Sequence, residues 1–189
     1  SNYMRIVGGK LKGRKLFLPN PDITRPLRDL VKENIFNIIH HSNLLGVSLE
    51  KSSVLDLYSG SGSFGIECIS RGAKYVTFVE NNVETIKVLN KNLMKFSLKS
   101  KYLLIEKEIN KSIELIHQDE KFNIFFLDPP FSDTKYLKIL DLLKTKKLYK
   151  KKHFVIIHRE NSDLENVKNN LNILLVKKYG RSRIIFGNF

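Results

Sequence analysis

The chain has 189 residues, 42% of them hydrophobic, enough for one sizeable buried core and too few for two independent ones. Its 33 Lys and Arg against 19 Asp and Glu give a formal net charge of +14, a surface that attracts polyanions. No apolar stretch approaches about 18 residues and no signal peptide is legible, so a cytoplasmic protein without a membrane partner is expected. Most of the basic excess is lysine. An AT-rich coding sequence, in keeping with the many asparagines and isoleucines, would enrich lysine too, but it does not explain clustering. The single Cys68 excludes a disulfide framework and a paired-cysteine zinc site, which suits a reducing cytosol. The five histidines lack metal-ligand spacing, so no metal is expected and each reads as structural. Ser1-Asn2-Tyr3 ahead of Met4 read as residues left by expression.

In chain order, Met4 to Leu18, punctuated by Gly8-Gly9 and Gly13 and stopped by Pro19 and Pro21, predicts an irregular β-hairpin. Lys10, Lys12, Arg14 and Lys15 crowd onto it, with Arg25 and Arg28 close behind, a cluster suited to RNA phosphates. After Pro26, the spacing of Leu27, Leu30, Val31, Ile35 and Ile38 predicts a helix. Strands follow near 53–57, 75–80, 102–107, 122–127, 153–159, 172–177 and 182–186, with helices near 64–71, 82–96, 111–117, 135–144 and 163–169. Val83, Ile86, Leu89, Leu93 and Phe96 form the core stripe of the helix near 82–96. Lys144, Lys146, Lys147, Lys150, Lys151 and Lys152 read as a solvated helix end and loop. Such alternation implies an α/β fold, a mostly parallel seven-stranded sheet with helices on both faces. The last two strands, joined across Tyr179-Gly180-Arg181, predict an antiparallel hairpin.

Val54-Leu55-Asp56-Leu57-Tyr58-Ser59-Gly60-Ser61-Gly62-Ser63-Phe64-Gly65 carries an apolar strand through a glycine-rich turn into a helix. Glycines there let the backbone approach a ligand closely. The next strand ends in Glu80, about 20 residues on, where a ribose hydroxyl partner is expected. The pattern fits a nicotinamide dinucleotide or S-adenosylmethionine, since both carry adenosine. Asp56, just before the turn, suits the sulfonium cation of the second.

The apolar run Phe122-Asn-Ile-Phe-Phe-Leu127 stops at Asp128-Pro129-Pro130-Phe131. Open α/β sheets bind ligands at the carboxyl ends of their strands. Asp128 and the Pro129 carbonyl can accept hydrogen bonds from an exocyclic amine, and Phe131 can stack on a planar base. The alternative is an ordinary X-Pro-Pro turn.

In this order, Asp56-x-x-x-Gly60-x-Gly62, Glu80 and Asp128-Pro-Pro-Phe131 resemble the Rossmann-like class I S-adenosylmethionine-dependent methyltransferases, the branch acting on exocyclic amines of bases. Arg5-Ile-Val-Gly-Gly-Lys-Leu-Lys-Gly-Arg-Lys-Leu16 and Thr24-Arg-Pro-Leu-Arg-Asp-Leu-Val-Lys-Glu-Asn-Ile-Phe-Asn37 are similar to the amino-terminal signature of the RsmD family, bacterial 16S rRNA guanine-N2 methyltransferases. The run from Asp56 to Ala73 matches that family's cofactor loop and first helix. Leu27 and Lys32 depart from its usual threonine and arginine, and Phe131 from its frequent tyrosine.

The resemblance implies a methyl transfer from S-adenosylmethionine, leaving S-adenosylhomocysteine, to guanine N2 in 16S rRNA, within small-subunit particles, by a monomer. It also implies a basic hairpin and helix over 1–45 as an extension of a methyltransferase domain over 46–189. Asp128, Pro129, Pro130 and Phe131 would hold the base. Asp56, Ser59, Gly60, Gly62, Glu80, Asn81 and Asn110 would hold the cofactor, with Glu108 a rival to Asn110 for the adenine and either able to cap a helix. Glu160 would meet either the substrate or a nearby arginine. A DNA adenine or cytosine amino-methyltransferase and a non-catalytic RNA-binding module are the alternatives, the first disfavoured for want of a sizeable target-recognition domain.

Overall fold

Strand β3 (Ser53–Leu57) is buried over its last four residues and pairs in parallel with β4 (Tyr75–Val79) on one side and β6 (Phe122–Leu127) on the other. The computed structural model describes residues 3–23, 27–160 and 164–189. Within them β5 (Tyr102–Ile105) extends the sheet beyond β4, while β7 (Tyr149–Arg159), β9 (Ser182–Asn188) and β8 (Asn172–Tyr179) extend it beyond β6. The order is β5-β4-β3-β6-β7-β9-β8, with β9 antiparallel to both of its neighbours. The order reverses between β3 and β6, so the crevice opens at the carboxyl ends of those two strands, beside Asp56 and Asp128.

Because side chains alternate along a strand, Val54 and Leu55 feed opposite cores. Val54 joins Phe64, Phe78, Leu89 and Phe126 beneath α1 (Asp29–His41), α2 (Ser63–Ser70) and α3 (Val83–Lys95). Leu55 joins Ile113, Phe125, Leu140 and Ile157 beneath α4 (Ile109–Leu115) and α5 (Tyr136–Thr145). Each such side chain contributes about 1.5–3 kcal/mol on burial. Cys68 lies in the first core, and burial pushes its thiol well above the ordinary value.

The amino-terminal segment forms a separate two-stranded sheet, β1 (Tyr3–Arg5) with β2 (Lys15–Phe17). A buried carboxylate docks it. Glu67 on α2 accepts the backbone N–H of Val7 and of Gly8, both at 2.9 Å, and pairs with Lys32 at 3.1 Å and Arg71 at 2.8 Å. Burial alone would raise the Glu67 carboxyl, but Lys32, Arg71 and the two N–H groups hold it below its ordinary value. Burial lowers the Lys32 ammonium, against the pull of Glu67.

Four details depart from the sequence reading. Helix α1 starts at Asp29, and its inner face carries Val31, Lys32, Ile35, Phe36 and Ile39, leaving Leu30 64% exposed. Lys32 is drawn inward by Glu67 and by the Arg5 carbonyl, which turns the buried face away from the Leu30 stripe. On α3, Val83 is exposed at the first turn, and Asn92 is fully buried, bridging Phe17 and Ser61. Lys150, Lys151 and Lys152 are not loop residues but exposed positions of β7, where a register shift between Phe122 and Ile124 absorbs them. Lys146 is not simply solvated, since its Nζ donates to the Ile113 and Ile116 carbonyls at the end of α4, where helix carbonyls lack partners. A short helix α6 (Leu164–Val167) lies within the predicted 163–169.

Candidate active site

After β3 the chain turns sharply through Tyr58 and Gly60, both left-handed at φ 58° and 59°. For a tyrosine this conformation is uncommon and costs about 1–3 kcal/mol, so its surroundings must hold it. They do so from two sides. Ser59 donates to the Asp56 carbonyl at 2.6 Å and its Oγ accepts the Val79 N–H at 3.0 Å, stapling the turn to β4. The Tyr58 phenol is pushed well above its ordinary value by burial and by its hydrogen bond to Asp133, beyond the prolines.

Glu80 ties the second side of the crevice together. Its Oε1 accepts the Gly60 N–H at 2.9 Å, and its Oε2 accepts those of Asn81 and Asn82 at 3.0 and 3.1 Å. Asn82 then caps α3 by accepting the Thr85 N–H. Gly62, by contrast, serves the core. It holds φ 85°, and a Cβ there would come within 2.5 Å of Leu89 Cδ1. The left-handed backbone and the packing against Leu89 both favour glycine here, and Gly62 does not line the cavity.

Asp56 also differs from expectation. It is fully buried under the turn, accepts the Gly65 N–H at 3.1 Å through Oδ2, and does not line the crevice. Burial, reinforced by Asp128 and Glu80 and opposed by the Gly65 N–H, pushes its carboxyl well above the ordinary range. So placed, Asp56 braces the turn from beneath, away from the cavity lining. Its Oδ1 has no hydrogen-bond partner among the described residues.

The crevice holds a cavity of about 720 Å³, lined at one end by Glu80, Asn81, Glu108 and Asn110 and at the other by Asp128 to Phe131 and His158. Pockets for small ligands run to about 300–1,000 Å³. Glu108 occupies the N-cap position of α4 without a side-chain capping bond, and Asn110 lies in its first turn. Both face the cavity, so neither is consumed as a cap. A smaller space of about 50 Å³ adjoins Ser59, Gly60, Leu27 and Pro19, and Asp128 and Tyr58 border both. Acceptors for ribose and adenine at one end, with a carboxylate and a ring at the other, fit an adenosine-bearing donor beside a planar base.

The acceptor turn is held by residues that sequence reasoning passed over. Arg159, buried at the end of β7, donates to the carbonyls of Pro130 (3.2 Å), Phe131 (2.8 Å) and Asp133 (3.3 Å), and lies over the Tyr136 ring. His158, expected to be merely structural, places Nδ1 2.8 Å from Asp128 Oδ1. The signal was a His-Arg pair at the end of a strand adjoining the Asp-Pro-Pro strand. His153 is structural, its pKa lowered by burial among Tyr149, Phe125 and Phe189. Glu160 lies 3.9 Å from Arg181.

The basic residues divide. Lys10, Lys12, Arg14 and Lys15 are exposed, but the hairpin turn seats on Ser70 and Arg71, the carboxyl end of α2, and Arg14 packs over Phe96 at the end of α3. Both helices start at the crevice and run away from it, so this cluster lies at the far end. Arg28 lies nearer, donating to Tyr179 O and Ser182 Oγ. Arg25 lies outside the described residues. Among the described residues there is no group of three or more His, Cys, Asp or Glu placed to hold a metal ion, and no helix long and apolar enough to cross a membrane.

Comparison with known proteins places this geometry. The family model for Conserved hypothetical protein 95 matches residues 4–188. The YlbH protein of Bacillus subtilis (strain 168) is 30% identical over 179 residues, covering 94% of each chain. A ribosomal RNA small subunit methyltransferase D of Buchnera aphidicola (subsp. Acyrthosiphon pisum) is 30% identical over 155 residues, 82% of this chain and 77% of that one. Among solved structures, yhhF from Escherichia coli superposes with a TM-score of 0.82 at 25% identity, covering 98% of this chain and 97% of that one. The chain belongs to the Conserved hypothetical protein 95 family, the RsmD family.

Proposed function

We propose that this protein is an rRNA methyltransferase that moves a methyl group from S-adenosylmethionine to the exocyclic N2 amine of a guanine in 16S rRNA. The observation that carries this reading is one cavity with Glu80, Asn81 and Asn110 at one end and Asp128 to Phe131 at the other. The small-subunit rRNA methyltransferase relative supports rRNA as the substrate class. The donor supplies an electrophilic methyl carbon, whose bond electrons return to sulfur as N2 takes the methyl.

The chain's own residues supply placement and electrostatics. Glu80 retains lone pairs for the ribose hydroxyls, and Asn110 or Glu108 meets the adenine edge. The N2 lone pair is delocalised into the ring, so attack makes the nitrogen more tetrahedral and builds positive charge on it. Asp128 and the Pro129 carbonyl, fixed in advance, stabilise that charge. Arg159 engages the carbonyls of Pro130, Phe131 and Asp133, which ties the turn to β7 and leaves the Pro129 carbonyl outside that set. The base leaves its stack at a cost of a few kcal/mol, offset by about 1–3 kcal/mol of stacking on Phe131.

Radiolabelled methyl transfer to small-subunit particles, free 16S rRNA and duplex DNA, followed by nucleoside analysis, tests the proposal. N2-methylguanosine in rRNA is expected. Labelled adenine or cytosine in DNA, or no transfer at all, would sink it.

A further inference from the structure

His158 sits between the proposed acceptor and the antiparallel strand β9, and the reaction as set out above gives it no task. Its Nδ1 lies 2.8 Å from Asp128 Oδ1 and its Nε2 lies 2.9 Å from Ser182 Oγ. Arg28 Nη2 donates to the same Ser182 Oγ at 3.3 Å. The ring is 8% exposed, with Phe131 set edge-on at 6.2 Å.

The direction of this chain follows from what each group can donate. An ionised carboxylate only accepts, so His158 Nδ1 donates its proton to Asp128 Oδ1. Ser182 Oγ accepts from Arg28 and, with a second lone pair and a proton of its own, can meet His158 Nε2 in either direction. Sheet strands hold both ends: Asp128 follows β6, and His158 and Ser182 belong to neighbouring β7 and β9. Rigid elements of this kind fix a side chain more closely than loops do.

We infer that His158, protonated on Nδ1, is a positioning residue for the methyl acceptor: it holds Asp128 Oδ1 and thereby aims Oδ2 at the guanine amine. This rests on the methyl-transfer reading above. Because the Nδ1 proton already points at the carboxylate, the imidazole cannot take a second proton there. The surplus N2 proton therefore passes to Asp128 Oδ2 and from it to water as product leaves, and it is not relayed through the ring. Asp128 keeps one orientation through the cycle, which a carboxylate on a free rotor would not.

Two measurements test this. In protein labelled with 15N-histidine, with His158→Asn identifying the resonance, His158 is expected to show a protonated Nδ1 near neutral pH. A ring protonated on Nε2 alone would overturn the inference. Single-turnover methylation at saturating RNA should fall about 10–100-fold in His158→Leu, the effect of losing one hydrogen bond to a charged group. It should return to within about fivefold of wild type in His158→Asn, whose amide nitrogen can stand where Nδ1 stood, with donor affinity within about twofold in both. A wild-type rate in His158→Leu, or a folded His158→Asn as slow as His158→Leu, would overturn it. Should His158→Leu not fold, the asparagine variant and the tautomer decide. Absence of methyl transfer by the wild type would instead sink the functional reading, and the tautomer, which needs no turnover, would still decide the ring's placement.

Discussion

Glu67 and Glu80 are the same residue type used in almost the same way, and the difference between them separates structure from function. Each carboxylate uses both oxygens to gather backbone N–H groups: Glu67 from the distant hairpin, Glu80 from the glycine turn and from the two residues after itself, Asn81 and Asn82. Glu67 is fully buried and is also closed off by two cations, Lys32 and Arg71. Glu80 is half-buried, borders the cavity, and spends only one bond on Oε1. A carboxylate saturated by cations is committed to the fold, whereas one held by backbone alone keeps acceptor capacity for a ligand.

The largest effect should come from the closed site. Glu67→Ala leaves Lys32 buried without its partner and should cost about 3–5 kcal/mol in urea unfolding, with donor affinity of the folded protein unchanged. A loss below about 1 kcal/mol would break the comparison. Next, Asp128→Ala, which opens no such hole in the fold, should slow single-turnover methylation about 100- to 1,000-fold while sparing donor affinity. Near wild-type rates with saturating RNA would remove Asp128 from the reaction centre. Glu80→Ala should do the reverse, weakening donor binding about 10–100-fold by calorimetry, with a smaller stability cost of about 1–2 kcal/mol. Equal costs to stability in Glu67→Ala and Glu80→Ala would make both carboxylates structural.

Acid sharpens the same contrast. The folded pKa of Glu67 lies below its ordinary value of 4.5, so the stability it contributes is fully present above that value and is lost as pH falls through the lowered folded pKa. As pH falls below 4.5, wild type should lose unfolding free energy more steeply than Glu67→Gln; parallel curves would show that the buried network is not the acid-sensitive element. The smallest effect concerns the hairpin. If Lys10, Lys12, Arg14 and Lys15 meet phosphates, changing them to Gln should flatten the salt dependence of RNA binding by about 0.7 to 0.9 per contact. Lys147, Lys150, Lys151 and Lys152, exposed on the rim of the sheet, supply the matched control. Equal flattening by both sets would reduce the hairpin's role to net charge.

The alternating elements were legible because apolar runs and glycine punctuation report burial directly, and β3, β6 and the β8–β9 hairpin all fall where periodicity places them. The inner face of α1 was legible at Val31 and Ile35, as was Leu27 just before it, but not at Leu30 or Lys32, because Lys32 turns inward to a buried partner 35 positions away in Glu67. Asp56 and Gly62 were found as a motif, but the contacts each makes beneath the turn, with the Gly65 N–H and beside Leu89, are visible only in the folded chain. His158 and Arg159 escaped because their partners are in the Asp128-Pro-Pro-Phe131 segment, about 30 residues upstream, and no local pattern marks a side chain that meets a neighbouring strand.

The hydrogen bond between Tyr58 and Asp133 joins the turn after β3 to the loop beyond Pro130, and both residues line the crevice. Arg159 bolts the second loop to β7, and Ser59 bolts the first to β4. The two loops beside the site are therefore tied to each other as well as to the sheet. On the proposed reading a base reaches Asp128 alongside that tie, which suits a single looped-out nucleotide better than a paired stem.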